Sequence, residues 1–289
     1  RPQRDDKILT DWNGLMIAAL AKAGTVMGEI EYIETAERAA AFILKQMSSG
    51  DGRLLHRYRR GTAGIQGQLD DYAFMLWGLL ELYEATFKLD YLQKALDLHD
   101  ILMRHFRDPE GGGFFLTSND SEVLIHRTKE GYDGALPSGN SASALNMVRL
   151  ARITGQTDFE KHAAMIGRVF SDQVEQRPSG FAQLLTAVDF VTGPGYEVVI
   201  AGKEGAHDTL AMINAQREIY LPGKVVLFRA EGNTESLRKL APYTHYQASL
   251  KGAATAYVCR GFVCETPTTD VGTMISQLDD KYGSDKSQE

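Results

Sequence analysis

The sequence predicts a mainly α-helical fold, a partial (α/α) toroid of helical hairpins with a small α/β segment near the C-terminus. Apolar residues recur at helical spacing from Leu9 to about Val191. Within this region a similar pair of helices occurs three times, which indicates stacked supersecondary units. After Gly193-Pro194-Gly195 the helical pattern gives way to short apolar runs separated by a helix, which is typical of buried strands.

Each predicted hairpin opens with a polar cluster and continues into a second helix. The first helices start near Asp11, Asp71 and Asn140, and the second helices start near Tyr32, Tyr91 and Phe159. One hairpin cannot bury both its faces, so the copies must stack or close into a ring. With a partial fourth hairpin at 181–190, they make about half of a six-hairpin toroid. We expect its open apolar edges to be covered by upstream residues or by a second copy in a homodimer.

Short segments of strand-like composition connect the predicted hairpins. Residues 53–58 lie between Gly52 and Gly61, and two further segments, 113–117 and 123–127, flank a polar turn. Glycine brackets and alternating aromatic or β-branched residues are typical of β-strands joined by tight turns. We therefore expect small β-hairpins on one face of the helical array.

The C-terminal third follows a different pattern. An apolar run at 197–202, a helix at 207–219 and a second apolar run at 224–228 predict a βαβ unit with parallel strands. A helix at 235–240 and a strand at 256–263 continue it. The predicted division is therefore hairpin repeats at 1–193, an α/β segment at 194–266, and a C-terminal helix with a polar tail at 267–289.

Composition excludes several classes of function. The formal net charge of −7 argues against a nucleic-acid or anionic-membrane surface. Every apolar stretch is interrupted well before a membrane-spanning length. Two cysteines, Cys259 and Cys264, are too few for a disulfide scaffold and favour a reducing compartment, so we expect a cytoplasmic protein. The chain starts with charged residues and without Met, and we interpret it as part of a longer protein.

Four motifs, in order along nearly the whole chain, carry a resemblance to a known family. They are Asp5-Asp6-Lys7-Ile8-Leu9-Thr10-Asp11-Trp12-Asn13-Gly14, Leu69-Asp70-Asp71-Tyr72-Ala73, Tyr132-Asp133-Gly134-Ala135-Leu136-Pro137-Ser138-Gly139-Asn140-Ser141, and Ala254-Thr255-Ala256-Tyr257-Val258-Cys259 followed by Cys264. They resemble a family with a thioredoxin-like N-terminal domain and a six-hairpin, glycosidase-like toroid, whose mammalian member is a spermatogenesis-associated protein. The toroid is similar to that of N-acylglucosamine 2-epimerases.

The resemblance implies that this chain is the C-terminal part of such a protein. The thioredoxin-like domain and the first hairpins, upstream in the same full-length chain, would then be its partners. The resemblance specifies a fold and little chemistry.

Polar residues at the helix starts are the first candidates for a site. Asp11, Asp70, Asp71 and Asn140 are good N-caps, because a side-chain oxygen accepts a hydrogen bond from a free backbone N–H. In the alternative interpretation they line a funnel and, with Asn13, bind sugar hydroxyls. Trp12 and Tyr72 each follow an acidic residue and would stack on the sugar ring. Paired carboxylates could also catalyse glycoside hydrolysis.

Two His-Arg pairs are the second group of candidates. His56 and His126 lie in equivalent strand-like segments, and a histidine can move a proton on and off a sugar carbon. Arg57 and Arg127 could hold a carboxylate or a phosphate. The alternative is that these are solvated strand residues that repeat because the hairpin repeats.

Two further motifs have a structural and a functional interpretation. The run around Ser138 and Asn140 either offers backbone N–H groups to an anion or simply caps a helix. We expect Cys259 and Cys264 to be two buried strand cysteines, although a disulfide across a tight turn is geometrically feasible and the family resemblance keeps a redox role open.

The leading hypothesis is a carbohydrate-active protein that acts on a sugar or sugar phosphate. We favour a sugar epimerase or isomerase over a hydrolase. Asp71, His56 and His126 are the predicted catalytic residues, and we predict no cofactor and no metal ion. The alternative is a non-catalytic interaction or redox-partner module for the thioredoxin-like domain.

Overall fold

Residues 5–122 and 125–279 are described by a computed structural model, and most of them are helical. They divide into two units. The first contains Arg1–Val148 and Asp158–Val188, and the second contains Arg149–Thr157 and Asp189–Glu289. The three-part division made from the sequence stays a prediction.

Helical hairpins make up the first unit, as the repeat predicts. Its helices are α1 (Thr10–Met27), α2 (Ile30–Gln46), α3 (Leu69–Thr86), α4 (Leu89–His105), α5 (Gly139–Thr154, up to Val148), α6 (Asp158–Gln176) and α7 (Ala182–Thr192, up to Val188).

Helix α3 lies at the centre of this unit. Nearly every side chain from Asp71 to Tyr83 is buried, as expected of a helix that is apolar all round. By contrast, α2 buries only the stripe formed by Ile33, Ala36, Ala40 and Ile43.

Glycines bring α1 and α3 into close contact. A Cβ at Gly14 would lie 2.6 Å from the backbone nitrogen of Met75, and a Cβ at Gly78 would lie 2.9 Å from the carbonyl oxygen of Gly14. The two backbones can therefore approach only because both positions lack a side chain. This contact fixes the start of α1 beside the start of α3.

A three-stranded antiparallel sheet lies beside these helix starts. Its strands are β1 (Ile8–Leu9), β2 (Leu55–Arg59) and β3 (Thr62–Gln66), in the order β1-β2-β3. The β-hairpin expected near 53–58 is therefore confirmed. Leu9 pairs with Arg57 immediately before α1 begins, so β2 is held at the N-terminal end of α1.

The second expected β-hairpin is wrong at 113–117, which forms no strand. Gly112 and Gly113 have φ angles of 72° and 69°, outside the strand region, and Phe114 makes only an isolated bridge to Arg107. The Asn140 side chain bonds both the N–H and the carbonyl of Phe114, at 2.8 and 2.9 Å, and so takes the place of a partner strand. Val123 and Leu124 of the other predicted strand lie outside the described residues.

A four-stranded sheet with three helices forms most of the second unit. Its elements are β4 (Tyr196–Gly202), α8 (His207–Arg217), β5 (Lys224–Ala230), α9 (Thr234–Leu240), β6 (Thr255–Arg260), β7 (Val263–Cys264) and α10 (Val271–Asp279). The strand order is β5-β4-β6-β7. Strands β4 and β5 are parallel, which confirms the predicted βαβ unit, while β6 and β7 are antiparallel to their neighbours. Every residue of β4 is buried.

Among the described residues, no helix has both the length and the apolar character that crossing a membrane requires.

Candidate functional site

The starts of α1 and α3 and strand β2 bring three predicted site residues together, Asp11, His56 and Asp71. His56 Nδ1 lies 3.0 Å and 3.1 Å from the two carboxylate oxygens of Asp71. The same carboxylate accepts the backbone N–H of Asp11 at 3.0 Å and that of Gln68 at 2.8 Å. Asp71 is completely buried, and its carboxylate anchors the histidine.

Asp71 is also a helix cap. It forms a capping box with Gln68, in which each side chain accepts a hydrogen bond from the backbone of the other residue. The capping interpretation and the site interpretation of this residue therefore both hold. The same carboxylate caps the N-terminus of α3 and orients the His56 imidazole.

Electrostatic interactions within this cluster shift two groups. The hydrogen bond that the His56 ring donates to the Asp71 carboxylate raises the pKa of His56 above its ordinary value of 6.5, against the effect of partial burial. Burial, followed by the neighbouring charge of Asp71, raises the pKa of Asp11 above 3.8. One ligand atom from each of the three residues lies within 4.8 Å of the others, a set that could also share a cation.

Asp70 lies next to Asp71 in the chain but serves a different environment, towards the start of α5. Burial, followed by the charges of Asp71 and Asp11, raises its pKa from 3.8 to about 6. The backbone N–H of Gly139 donates a hydrogen bond that partly offsets this effect. A Cβ at Gly139 would overlap Asp70 Oδ1 and lie 2.6 Å from Leu69 Cγ, so only glycine allows this contact.

Asp70 lines a cavity of about 210 Å³ between the starts of α3 and α5. Glu130 contributes a second carboxyl group and Tyr132 an aromatic ring. The remaining lining residues are Leu69, Leu116, Gly134, Leu136, Pro137, Ser138 and Gly139. Tyr132 is 50% exposed, and its ring meets that of Phe181 edge-on at a centroid distance of 6.3 Å. The cavity thus combines two carboxyl groups with an accessible aromatic ring.

Tyr72 does not have its predicted role as a stacking platform. Its side chain is fully buried, its hydroxyl accepts the N–H of Leu54 at 3.0 Å, and its ring packs on Phe106. Trp12, the other predicted platform, is 60% exposed, and Asn13 donates to the carbonyl of Leu9 at 2.7 Å.

Asn140 does not bind a ligand either. It is fully buried, its oxygen accepts the N–H of Phe114, and its amide nitrogen donates to the carbonyls of Phe114 and Glu130. Both of its amide hydrogens are therefore used, and none is left for a sugar hydroxyl. Its observed effect is to hold the backbone of Glu130 at the cavity.

Of the two interpretations of the start of α5, the contacts favour the helix cap over the anion site. Ser138 Oγ accepts the N–H of Ser141 at 3.1 Å and donates to Ser141 Oγ at 2.9 Å, while the Gly139 N–H is taken by Asp70. The cap is satisfied internally, and the nearest side-chain charge is negative. Ser138 contributes to the cavity wall only.

The second His-Arg pair is not equivalent to the first. His126 is exposed in an irregular segment, whereas His56 lies in β2. The Arg127 guanidinium lies 4.1 Å from the ring centroid of Phe115 and donates to the carbonyls of His105 and Thr117. Arg57 follows His56 in a strand, so its side chain points to the opposite face. None of these three residues lines the cavity, and His56 does not line it either.

The expectation of two buried, unbonded cysteines is wrong. A disulfide joins Cys259 to Cys264, and Cys264 is exposed. The hairpin between β6 and β7 places the two residues directly opposite each other.

Sequence reasoning missed Glu130 and Tyr132 as site residues. Both lie in an irregular segment without periodicity, and the only available signal was the motif that starts at Tyr132. Asp133 in that motif is structural, because it accepts the N–H groups of Ser138 and Gln183, both at distances near 2.9 Å.

Comparison with known proteins begins with sequence relatives. No family model matches the chain. Spermatogenesis-associated protein 20 of Homo sapiens is 34% identical over 281 residues, which is 93% of this chain and 36% of that protein. The chain is homologous to spermatogenesis-associated protein 20. The Rattus norvegicus protein of the same name is 34% identical over 277 residues, covering 92% of this chain and 35% of its own length. The chain thus spans about a third of the relatives that it matches.

Solved structures confirm the fold class. The cellobiose 2-epimerase of Bacillus thermoamylovorans matches 60% of this chain and 46% of its own chain, with a TM-score of 0.50 and 14% identity. A family 76 glycoside hydrolase from a bovine Bacteroides thetaiotaomicron strain matches 77% of this chain and 50% of its own, with a TM-score of 0.52 and 13% identity. The fold is mainly helical and of the six-hairpin, glycosidase-like toroid type, as predicted.

Proposed function

We propose that this chain carries a carbohydrate-active site in the cavity between the starts of α3 and α5. The observation that carries the proposal is Asp70, a carboxyl group with a pKa of about 6 in a cavity that also holds an accessible aromatic ring. The proposed reaction is of the epimerase or isomerase type, with Asp70 as the proton-transfer group in the cavity wall and His56, which is bonded to Asp71 and does not line the cavity, as the second group. The two structural neighbours, one named as an epimerase and one as a glycoside hydrolase, support the carbohydrate-active class through their fold.

The cavity suits a single sugar ring. Its volume of about 210 Å³ lies below the range of roughly 300–1,000 Å³ usual for drug-sized ligands. Sugar binding uses an aromatic face for the apolar side of the ring and fixed acceptors for its hydroxyls. Tyr132 supplies the first and the carboxyl groups of Asp70 and Glu130 supply the second.

Proton transfer is the chemistry that the two titratable groups support. A general acid or base works best when its pKa lies near the working pH. Asp70, with a pKa of about 6, is mostly ionised at pH 7 and can accept a proton. His56, with its pKa raised above 6.5 by Asp71, keeps a larger protonated fraction and can donate one.

Both titratable groups are held at the first turn of α3, Asp70 as part of that turn and His56 through its hydrogen bond to Asp71. Asp70 and Asp71 are consecutive at the start of α3, and Asp71 holds the His56 ring. An enolisation, in which one group removes a carbon-bound proton while another protonates the carbonyl oxygen, needs such a pair. Trp12, next to Asp11 in the chain, is 60% exposed.

The test measures proton exchange at the sugar carbon. The protein is incubated in D₂O with cellobiose, mannose, glucose or N-acetylglucosamine, and loss of the C2 proton signal is followed by NMR. We expect exchange with at least one sugar, and its loss in Asp70→Asn, which keeps the size of the side chain and removes the titrating carboxyl.

Asp90→Asn is the matched control, because Asp90 is an exposed aspartate in the first turn of α4. We expect this variant to exchange at the wild-type rate. The proposal is refuted if no sugar binds by calorimetry and none exchanges, or if Asp70→Asn exchanges as fast as the wild type.

A further inference from the structure

The second unit contains a chemically reactive feature that the proposed function does not use. Strands β6 and β7 form a short hairpin that places Cys259 opposite Cys264, and a disulfide joins them. Cys259 is 1% exposed, whereas Cys264 is exposed. The bond therefore presents one sulfur to solvent and keeps the other inside, an asymmetry that distinguishes an attacked sulfur from a leaving one.

A buried amide points at this bond. The Nε2 of Gln247 lies 3.7 Å from Cys259 Sγ and 3.6 Å from Cys264 Sγ, and the residue is only 6% exposed. A disulfide sulfur is a weak acceptor, while a thiolate is an ionised one and forms a stronger hydrogen bond. The Gln247 donor therefore stabilises the sulfur most after the disulfide has opened.

We propose that Cys259 and Cys264 form a redox-active disulfide that accepts two electrons from a thiol reductant. A thiolate of the reductant attacks Cys264 Sγ and forms a mixed disulfide. The Cys259–Cys264 bond breaks, and its electron pair goes to Cys259, which leaves as a thiolate beside the Gln247 N–H. A second thiolate of the reductant then attacks the sulfur of the first and releases Cys264. The reductant ends as a disulfide, and the two cysteine thiolates take protons from water.

The hairpin is tethered independently of the disulfide. The N–H of Phe262 in the turn donates to Glu197 Oε2 at 2.9 Å, and the Phe262 ring meets that of Tyr243 at a centroid distance of 5.0 Å. Glu197 is itself paired with Arg152 at 2.8 Å. These contacts hold the hairpin independently of the disulfide, so the two sulfurs stay close enough for the bond to form again.

The turn adds a reason for the tethers. Gly261 and Phe262 have φ angles of 55° and 65°. Two consecutive positive φ angles make the tight turn that joins such strands, but only glycine adopts this conformation without strain. Phe262 therefore needs its contacts to Glu197 and Tyr243.

The first experiment is a redox titration of the whole chain in mixtures of reduced and oxidised glutathione, with free thiols trapped by iodoacetamide and counted by mass spectrometry. We expect reversible conversion between no free thiol and two. A pair that stays oxidised in millimolar reduced glutathione, or that stays reduced in oxidised glutathione, overturns the proposal.

The second experiment assigns the roles of the residues. In Cys259→Ser the remaining Cys264 is expected to react with 5,5′-dithiobis(2-nitrobenzoate) at least tenfold faster than Cys259 does in Cys264→Ser.

Gln247→Met is expected to slow reduction of the disulfide by dithiothreitol about tenfold, because the leaving thiolate loses a charge-assisted hydrogen bond. Gln216→Met is the control, since this buried glutamine of the same unit donates to the carbonyl of Ile213. Equal rates for the two cysteines, or equal effects of the two Met variants, contradict the assignment. If a variant fails to fold, the glutathione titration of the unmodified chain decides the proposal.

Discussion

Replacing Asp70 by asparagine should make the protein more stable at neutral pH while removing its proposed activity. The pKa of Asp70 rises from 3.8 to about 6 in the folded protein. Each pKa unit corresponds to about 1.4 kcal/mol, so ionised Asp70 lowers the free energy of unfolding by about 3 kcal/mol. Asparagine carries no charge, like the protonated carboxyl, and so removes this penalty; we expect a gain of about 3 kcal/mol at pH 8.

The sign of the pH dependence follows from which state binds the proton. Between pH 4 and 6 the folded protein keeps the Asp70 proton that the unfolded chain has already lost, so this group lowers stability as the pH rises through that window. Below the unfolded value of 3.8 the carboxyl is neutral in both states. The difference between Asp70→Asn and the wild type should therefore be about 3 kcal/mol at pH 8 and close to zero at pH 3.5.

Urea unfolding at the two pH values, followed by circular dichroism of the helices, measures this difference. Asp90→Asn, at an exposed position in the first turn of α4, should show no pH-dependent gain. A loss of stability in Asp70→Asn at pH 8, or a gain of the same size at both pH values, would refute the reasoning that burial of this carboxylate is unfavourable.

Three further predictions concern neighbouring residues. Asp71→Asn should lower the pKa of His56 towards 6.5, because the hydrogen-bonded carboxylate that raises it is lost; an NMR titration of the His56 ring, assigned with His56→Gln, would contradict this if the pKa stayed in place. Asn140→Ala should destabilise the fold by about 1–3 kcal/mol in urea unfolding, because it leaves the buried N–H and carbonyl of Phe114 without partners, and a smaller loss would mean that water replaces the amide. Tyr132→Ala should weaken sugar binding about five- to tenfold in calorimetry with little change in stability, since the ring is 50% exposed; unchanged affinity would exclude it as the platform.

The sequence was sufficient to predict the repeated hairpins and the βαβ unit, because both follow from apolar periodicity. It also brought attention to Asp11, His56 and Asp71, which the fold gathers into one cluster. Periodicity could not predict the environment of Tyr72, since a helix that is buried all round has no solvent face to distinguish one side from another.

Irregular segments account for the other misses. Glu130 and Tyr132 reach the cavity because Asn140 and Asp133 hold the segment in place through side-chain bonds to its backbone. Such bonds have no sequence period. The sequence did not predict the disulfide for a similar reason. The tight turn that brings the cysteines together depends on a positive φ at Phe262, and a phenylalanine does not predict one.

Asp70 and Asp71 have the same side chain at consecutive positions, and their surroundings give them opposite roles. Asp71 accepts hydrogen bonds from His56, Asp11 and Gln68 and is used entirely for structure and orientation. Asp70 is partly buried with one backbone donor, and the negative charges of Asp71, Asp11 and Glu130 act on it. A fold selected for stability alone would place an uncharged residue there, because a partly buried carboxylate with so little compensation is unfavourable. The site at which a sequence departs from good packing chemistry is where function is expected. In the first unit that departure is Asp70, and it faces the cavity.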